Sequence, residues 1–443
     1  MKMPKTPPDF ERMLGDIKDP SRLMQIIALG ARISPSGKYF HWDKLQYHTP
    51  PEGFSREEWW LALKLKRKQQ SSPVPLTDAK GKAFTYTMAD PIPEMLQKID
   101  QGAGGHIGMP DQITNPETRD RYCVNSLIQE AITSSQLEGA ATTREVAKEM
   151  IRTQRRPRDH NEQMILNNFR TMQRVGALKD KKLSKELILE IHQIITAKTL
   201  KSDSETGRLR LPNERIAVVD MYNEVFHNPP PAEQLEERMA AMCDFANGRT
   251  PERFLHPVLR SIILHFWLAY DHPFVDGNGR VARALFYWSM LRHRYWLFEF
   301  VSISQILLKA PAKYGRAFLF TETDDNDLTY FILQQLDVIR RAMRELHEYI
   351  ERKTAALHAI ETRLRGVTVL NHRQQALIVH ALRHPQQRYT FKSHQMSHNV
   401  VYQTARTDLL DLEQRGLLAS RKVGRTWHFK PVPDLEARLA RLD

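Results

Sequence analysis

Between residues 121 and 365 apolar side chains return at every third or fourth position, and this period restricts the fold more than any other feature of the chain. The segments "LSKELILEIHQIITAKTL", "RFLHPVLRSIILHFWLAY" and "RVARALFYWSMLRH" each gather their apolar residues on one face, as does the long "DLTYFILQQLDVIRRAMRELHEYIERKTAALHAIETRLR". Such a face is stable only when another helix covers it, so the expected core is mainly α. One segment breaks the period. In "NERIAVVDMYNEVFHNPPP", residues 216–219 and 224–227 are short β-type runs around Asp220, Met221, Tyr222 and Asn223, which predicts a hairpin ended by prolines.

The flanks of the helical region read differently. The first hundred residues are irregular in pattern, with "YHTPPEGF" and "SSPVPLTDAKGK" on either side of one helix, "SREEWWLALKLKRKQ". Ser55 is its N-cap, Glu58 completes a capping box, and Trp59, Leu63 and Lys66 share a face, with Trp60 beside it, that would dock onto a neighbouring domain. A Gly- and Pro-containing run from Gly102 to Asp120 reads as a linker. After it and the long helical region, "NHRQQALIVHALR" predicts a helix, "HNVVYQTARTDLLDLEQRGLL" a longer helix ending at Gly416, and "LASRKVGRTWHFKP" a strand, a glycine turn and a strand. Helices followed by a basic hairpin are the order of a winged helix, a small α+β module. The expected domains are thus an accessory region 1–110, a helical domain 111–365 and a C-terminal module 366–443.

The densest chemistry lies between two of the core helices, in "DHPFVDGNGRVAR" from Asp271 to Arg283. Pro273 drives the preceding residue out of helical geometry, so a loop begins near His272. Gly277, Asn278 and Gly279 then turn the backbone just where a new helix starts, and unpaired amides at a helix N-terminus form an anion site. Arg280 and Arg283, three apart, project from one face and can clamp successive phosphates. Asp276 at the lip of the turn can hold Mg²⁺ between phosphate oxygens. His272 titrates near neutrality and suits proton abstraction from a hydroxyl, while Phe274 reads as an apolar anchor for the loop. Together these residues describe attack on a phosphoanhydride assisted by positioning and charge neutralisation.

The stretch resembles the motif of the Fic (filamentation induced by cAMP) family, HxFx(D/E)GNGRxxR, and matches it at every specified position. The resemblance implies a helical Fic core in which His272 deprotonates a target Ser, Thr or Tyr hydroxyl, which then takes AMP from ATP. It also implies that Phe274 anchors the core, Asp276 binds Mg²⁺, Gly277, Asn278 and Gly279 form the anion hole, Arg280 meets the β-phosphate and Arg283 the γ-phosphate. The related Doc toxins carry a lysine where this chain has Gly279 and transfer phosphate, so Gly279 favours nucleotidyl transfer.

Three further segments are similar to the family. "AITSSQLEGA" contains Ser134, Glu138 and Gly139 in the spacing of the inhibitory motif (S/T)xxxE(G/N), which implies that Glu138 pairs with Arg283 and fills the γ-phosphate place. The predicted hairpin corresponds to the family's flap, which implies that Ile216, Val218 and Val225 hold a target peptide by strand addition. In "KAPAKYGRAF", where many relatives have two adjacent tyrosines, Lys313 stands at the first and Tyr314 at the second. Tyr314 therefore lies near the adenine or serves core packing.

Charge bears on the remaining partners. The chain's net charge of +13 draws it toward polyanions, and residues 371–443 alone carry twelve Lys and Arg against six Asp and Glu. Gln403, Thr404, Arg406 and Thr407 lie early in the predicted longer helix, and "RKVGR", with Arg425, forms a basic wing, so the module is suited to DNA. Docking to protein, including a second copy of the chain, is the alternative. Cys123 and Cys243 read as small buried hydrophobes of a reducing compartment, and without a long apolar run or secretory signal the expectation is a cytoplasmic protein. The expected function is a protein adenylyltransferase using ATP and Mg²⁺, autoinhibited by Glu138. Removal of AMP by the same residues, and a DNA-binding regulator whose core senses nucleotide, are the alternatives.

Overall fold

The computed structural model describes residues 2–30, 38–104, 116–219, 224–366, 369–423 and 426–439. The turn 220–223, the wing residue Arg425 and most of the 102–120 linker lie outside them. The chain packs as two compact units, residues 1–105 with 126–343, and residues 106–125 with 344–443.

The N-terminal region is more regular than its proline content suggests. Asp9 and Asp19 cap two short helices, α1 (Phe10–Asp16) and α2 (Pro20–Leu29), by accepting hydrogen bonds from Arg12 N and Ser21 N. Both are three turns or fewer and lie in a stretch interrupted by prolines, which hides their apolar spacing. The expected helix is α3 (Arg56–Gln70), with Ser55 and Glu58 forming the reciprocal capping box. Its apolar face is buried within the N-terminal region itself rather than on another domain: Trp59, Trp60 and Leu63 pack with Trp42 and Leu45, and each such side chain contributes roughly 1.5–3 kcal/mol on leaving water. Two antiparallel strands follow, β1 (Ser71–Thr77) and β2 (Ala83–Thr87). The sheet has only these strands, so Pro73 and Pro75 cost no ladder bonds on a second neighbour. Strand β2 is held to the helical core at Thr85, which donates to Asn326 O (3.0 Å) and accepts from Leu328 N (2.8 Å). A buried ion pair, Lys64 to Asp324 at 2.7 Å, fastens α3 to the same segment.

The core helices are α4 (Pro116–Leu137), α5 (His160–Leu178), α6 (Lys185–Thr196), α7 (Leu235–Ala246), α8 (Pro257–Asp271), α9 (Asn278–Arg292), α10 (Pro311–Thr323) and α11 (Thr329–Gly366). The fold is mainly α, as the period predicts. Helix α4 begins at Pro116, five residues earlier than the periodic region, because proline at the first position costs no hydrogen bond. Helices α8 and α9 pack against each other and are buried almost all round, with Phe266, Trp267, Phe286 and Trp288 at most 1% exposed. The only break in the helical core among the described residues is the hairpin β3 (Val218–Val219) and β4 (Val225–His227). It is shorter than expected: Ile216 precedes the strand rather than belonging to it.

The second unit contains α12 (His372–Arg383), α13 (Phe391–His398), α14 (Tyr402–Gln414) and the antiparallel pair β5 (Leu418–Val423) and β6 (Thr426–Pro431). The single long helix expected from His398 to Gly416 is therefore corrected. Asn399 adopts φ 48°, a left-handed conformation that ends α13, and α14 starts only at Tyr402. Helix α13 itself went unpredicted because its sequence, "FKSHQMSH", has little apolar period. No helix among the described residues is long and apolar enough to cross a membrane.

Candidate active site

The site is built at the junction of α8 and α9. Helix α8 ends at Asp271, and His272 takes φ 46° as its cap, so its ring leaves the helix axis at the start of the loop. The ring Nδ1 lies 3.2 Å from the Ala269 carbonyl, which fixes the proton on that nitrogen and leaves Nε2 as the basic atom. Burial pushes the His272 imidazole down to about 4, with nearby His227 and Arg210 acting in the same direction. At neutral pH the ring is uncharged and able to accept a proton.

The loop is held from three sides. Phe274 is fully buried and stacks on His192, ring centroids 3.8 Å apart. The Asn278 side chain exchanges two hydrogen bonds with the Phe274 backbone (3.0 and 2.9 Å), closing the loop on itself. His192 Nε2 meets the Asp276 carbonyl at 3.0 Å while its Nδ1 accepts from Gly207 N, a pattern that requires a neutral ring, and burial keeps it so by pushing it down to about 4. Arg210 donates through Nε to the His272 carbonyl (2.9 Å), its guanidinium also reaches the Pro230 carbonyl, and its own amide donates to Pro273 O (2.9 Å).

Gly277 caps the N-terminus of α9, and its φ of 86° and the 3.0 Å approach of an added Cβ to Thr196 leave room only for glycine. The amides of its first turn have no intrahelical acceptor. Arg280 and Arg283 both lie inside, 1% exposed. Arg280 donates to the Ile195 carbonyl at 3.2 Å, and its Nε is buried with no hydrogen-bond partner. Burial pulls the Arg280 guanidinium down, against Asp276 and Glu138. The Asp276 carboxylate is half exposed, 3.7 Å from Arg280, and open to solvent as a carboxylate sharing Mg²⁺ with phosphates must be. Among the described residues no cluster of three His, Cys, Asp or Glu side chains could hold a metal unaided, so Asp276 fits a magnesium ion only when phosphate oxygens complete its shell.

The upstream motif meets this site. Arg283 donates through Nε to Ser134 Oγ (2.9 Å) and through NH2 to both the Ser134 carbonyl (2.9 Å) and Glu138 Oε1 (2.8 Å). Burial opposes the Arg283 charge, but Glu138, Tyr314 and Glu130 together raise its pKa. Glu138 reaches the arginine because α4 ends just before it. Gly139, at φ 93°, turns the chain while its amide bonds back to Gln136. The carboxylate then sits directly over α9: a Cβ on Gly279 would lie 2.2 Å from Glu138 Oε1. Gly279 thus gives the carboxylate its seat.

Tyr314 is found on α10 with its hydroxyl 2.8 Å from His265 Nε2. It also influences Arg283 electrostatically, and burial pushes its own hydroxyl up to about 12. This is the arginine side of the site. The flap residues Val219 and Val225 are each 47% exposed, whereas Ile216 and Val218 are half-buried. At the foot of the flap, His227 contacts Glu322 (2.7 Å) and the Tyr270 carbonyl (2.7 Å) through its two ring nitrogens. Burial disfavours its charge, yet Glu322 and the carbonyl raise its pKa overall.

Several supporting residues had little or no signal in the sequence. Glu130, two turns before Glu138, is 2% exposed and accepts hydrogen bonds from Tyr287 (2.9 Å), Ser302 (2.8 Å) and both the amide and hydroxyl of Ser304. It sits at i−4 from Ser134 and i−8 from Glu138, and that repeat of four was its one visible mark. His192, Arg210 and His265 act through contacts that link distant parts of the chain.

Residues 182–290 match the Fic/DOC family. Among curated proteins, the chain is 29% identical over 198 residues to protein adenylyltransferase Fic of Nematostella vectensis, covering 43% of each chain. It is 32% identical over 105 residues to protein adenylyltransferase fic-1 of Caenorhabditis briggsae, covering 24% of this chain and 18% of that one. The alignments thus span less than half the length of these relatives. Among solved structures, a Fic family protein from Desulfovibrio desulfuricans G20 superposes with a TM-score of 0.52 at 19% identity, over 79% of this chain and 98% of that one, a likeness of fold.

Proposed function

Taking as premise that this chain is a Fic family protein, we propose that it transfers AMP from ATP to a hydroxyl side chain of a target protein or of itself. The observation that carries the reading is one neutral, oriented imidazole beside two buried arginines on a single helix turn, one of them with an unpartnered nitrogen. His272 Nε2 takes the proton of the incoming hydroxyl, whose oxygen bonds to the α-phosphorus as the bond to the bridging oxygen breaks and pyrophosphate leaves. Arg280 and Arg283 neutralise the β- and γ-phosphates, and Asp276 would hold Mg²⁺, which supplies further neutralisation of the leaving group. Asn278 contributes its amide to the anion hole, while its side chain is already used by Phe274. The exposed valines at the flap favour docking of an extended target strand.

We read Glu138 as the inhibitor of this activity. Its carboxylate neutralises Arg283 where the γ-phosphate would bind, so ATP must displace it or bind unproductively. Incubation with α-labelled ATP and Mg²⁺ tests both statements. Wild-type protein should label weakly, and Glu138→Gly should label itself or a target strongly. Absence of label with Glu138→Gly, in the presence of several candidate targets and folded protein, would overturn AMP transfer. Release of AMP from a pre-labelled protein by wild type alone would assign the reverse reaction instead.

A further inference from the structure

The C-terminal unit takes no part in the chemistry above, yet its surface is organised for a ligand. Its helices enclose a core of their own that includes Leu377, Ile378, Leu409, Leu412 and Phe429. Tyr389 and Phe429 exchange two backbone hydrogen bonds of 2.8 Å, so a third, minimal strand lies between α12 and α13 and pairs with the hairpin. Helix, short strand, helix, left-handed turn, helix and hairpin is the order of a winged helix, in which the last helix is the one offered to a groove.

The side chains of α14 are sorted accordingly. Ala405, Asp408, Leu409 and Leu412 face inward, and Tyr402, Gln403, Arg406 and Thr407 face solvent. Its three acids are all engaged within the module. Asp408 is held by Asn371 (2.8 Å), Arg373 (2.7 Å) and His394 (3.1 Å). Asp411 is held by Gln374 (2.7 Å) and Arg415 (2.8 Å), and Glu413 accepts from Ser420 (2.5 Å). The first turn has no acid at all. The opposite holds for the bases. Among the described residues Arg388, Lys392, Arg406 and Arg421 form no ion pair, although all four are exposed. Lys422, also exposed, lies over the Trp427 ring. Phe391 touches the Tyr402 ring at 5.7 Å, which brings Lys392 and the start of α14 to one end of the module.

A surface whose α14 carboxylates are engaged within the module while Arg388, Lys392, Arg406 and Arg421 stay unpaired is complementary to a polyanion, and on a winged helix the polyanion that fits a helix and a basic hairpin together is duplex DNA. We propose that residues 369–439 bind double-stranded DNA, with Gln403 and Arg406 of α14 reaching base edges in the major groove and Lys392, Arg421 and Lys422 meeting phosphates. This is independent of AMP transfer.

Fluorescence anisotropy of the full chain with a pool of random-sequence duplexes tests it. With about three phosphate contacts, affinity should fall on the order of 40-fold as salt rises fourfold. Arg421→Ala should weaken binding to all sequences and reduce the salt slope by about one. Arg406→Ala should relax the preference recovered from the pool by repeated selection. Both positions are exposed, so unchanged melting of these variants keeps loss of fold out of the result. Absence of binding at low salt would overturn the proposal, as would binding that the double variant leaves unaltered. Concentration-dependent dimerisation abolished by Arg406→Ala, without DNA binding, would give the face to a second copy. Labelling by ATP should be the same in these variants and in their parent, which separates this test from that of the enzyme activity.

Discussion

At the residue scale, the protonation state of His272 sets what the site can do. Its pKa is depressed to about 4 by burial, so the basic form persists through the physiological range and is lost only as pH falls toward that value. The rate of AMP transfer by Glu138→Gly protein should therefore show no inflection near 6.5, and a pH profile with one there would count against a buried neutral base. Replacing His272 by Ala in the same background should lower the rate by about 10²–10⁴-fold, while ATP affinity, measured by calorimetry, should change little, since the proposed phosphate contacts belong to other residues. Glu138 and Arg283 share one place and should not act additively. Glu138→Gly should raise the rate, Arg283→Ala should depress it, and the double variant should resemble Arg283→Ala, because without the arginine the carboxylate would have nothing to block. A double variant as active as Glu138→Gly would remove Arg283 from the γ-phosphate site.

At the scale of elements, α4 is held to α9 in two different ways. Near its end, Ser134 and Glu138 grip Arg283 beside a half-exposed site, and two turns earlier Glu130 is buried among four donors. Removing a carboxylate from the second environment strands hydroxyls and an amide away from water, at about 1–3 kcal/mol for each group that finds no other partner. Glu130→Ala should thus lower unfolding free energy by about 3 kcal/mol, whereas Glu138→Gly, whose loss leaves Arg283 bonded to Ser134, should change it by less than about 1 kcal/mol. Urea titrations of the two variants check this. Equal losses would mean that the helix end carries more of the attachment than its exposure suggests.

For the whole molecule, the division into two units, with the second holding a core of its own, predicts that the helical unit survives without the tail. A chain ended at Gly366 should stay soluble, melt cooperatively and, with Glu138→Gly, retain labelling. An insoluble or non-cooperative product would place part of the folding unit beyond that point. The accessory region is a different matter. Residues 1–105 belong to the same compact unit as the site, through contacts such as Lys64 with Asp324 and Thr85 with Leu328. A chain begun after them should expose Asp324 and the Phe266 and Tyr270 rings that Phe84 covers, and its failure to fold would be read in its loss of cooperative melting.

Period and local chemistry determined much of this protein before any contact was known. The helical class follows from apolar spacing, the start of α3 from Ser55 and Glu58, and the tight turn into α9 from Gly277 at a helix start, because each depends on residues within a few positions of one another. Short elements escaped for the same reason in reverse: α1 and α2 are three turns or fewer in a stretch interrupted by prolines, α13 holds few apolar residues, and Asn399 in the left-handed region ends α13 before α14. Whether Glu138 meets Arg283 was a matter of tertiary structure, since the two are 145 positions apart and any surface carboxylate looks the same in sequence. So were the stacking of His192 on Phe274, the anchoring of the loop by Arg210 and the burial of Glu130. A sequence records which groups can donate, accept or carry charge, but the distance between remote groups, and with it the sign of a pKa shift or the presence of a seat at Gly279, is set only when the chain packs.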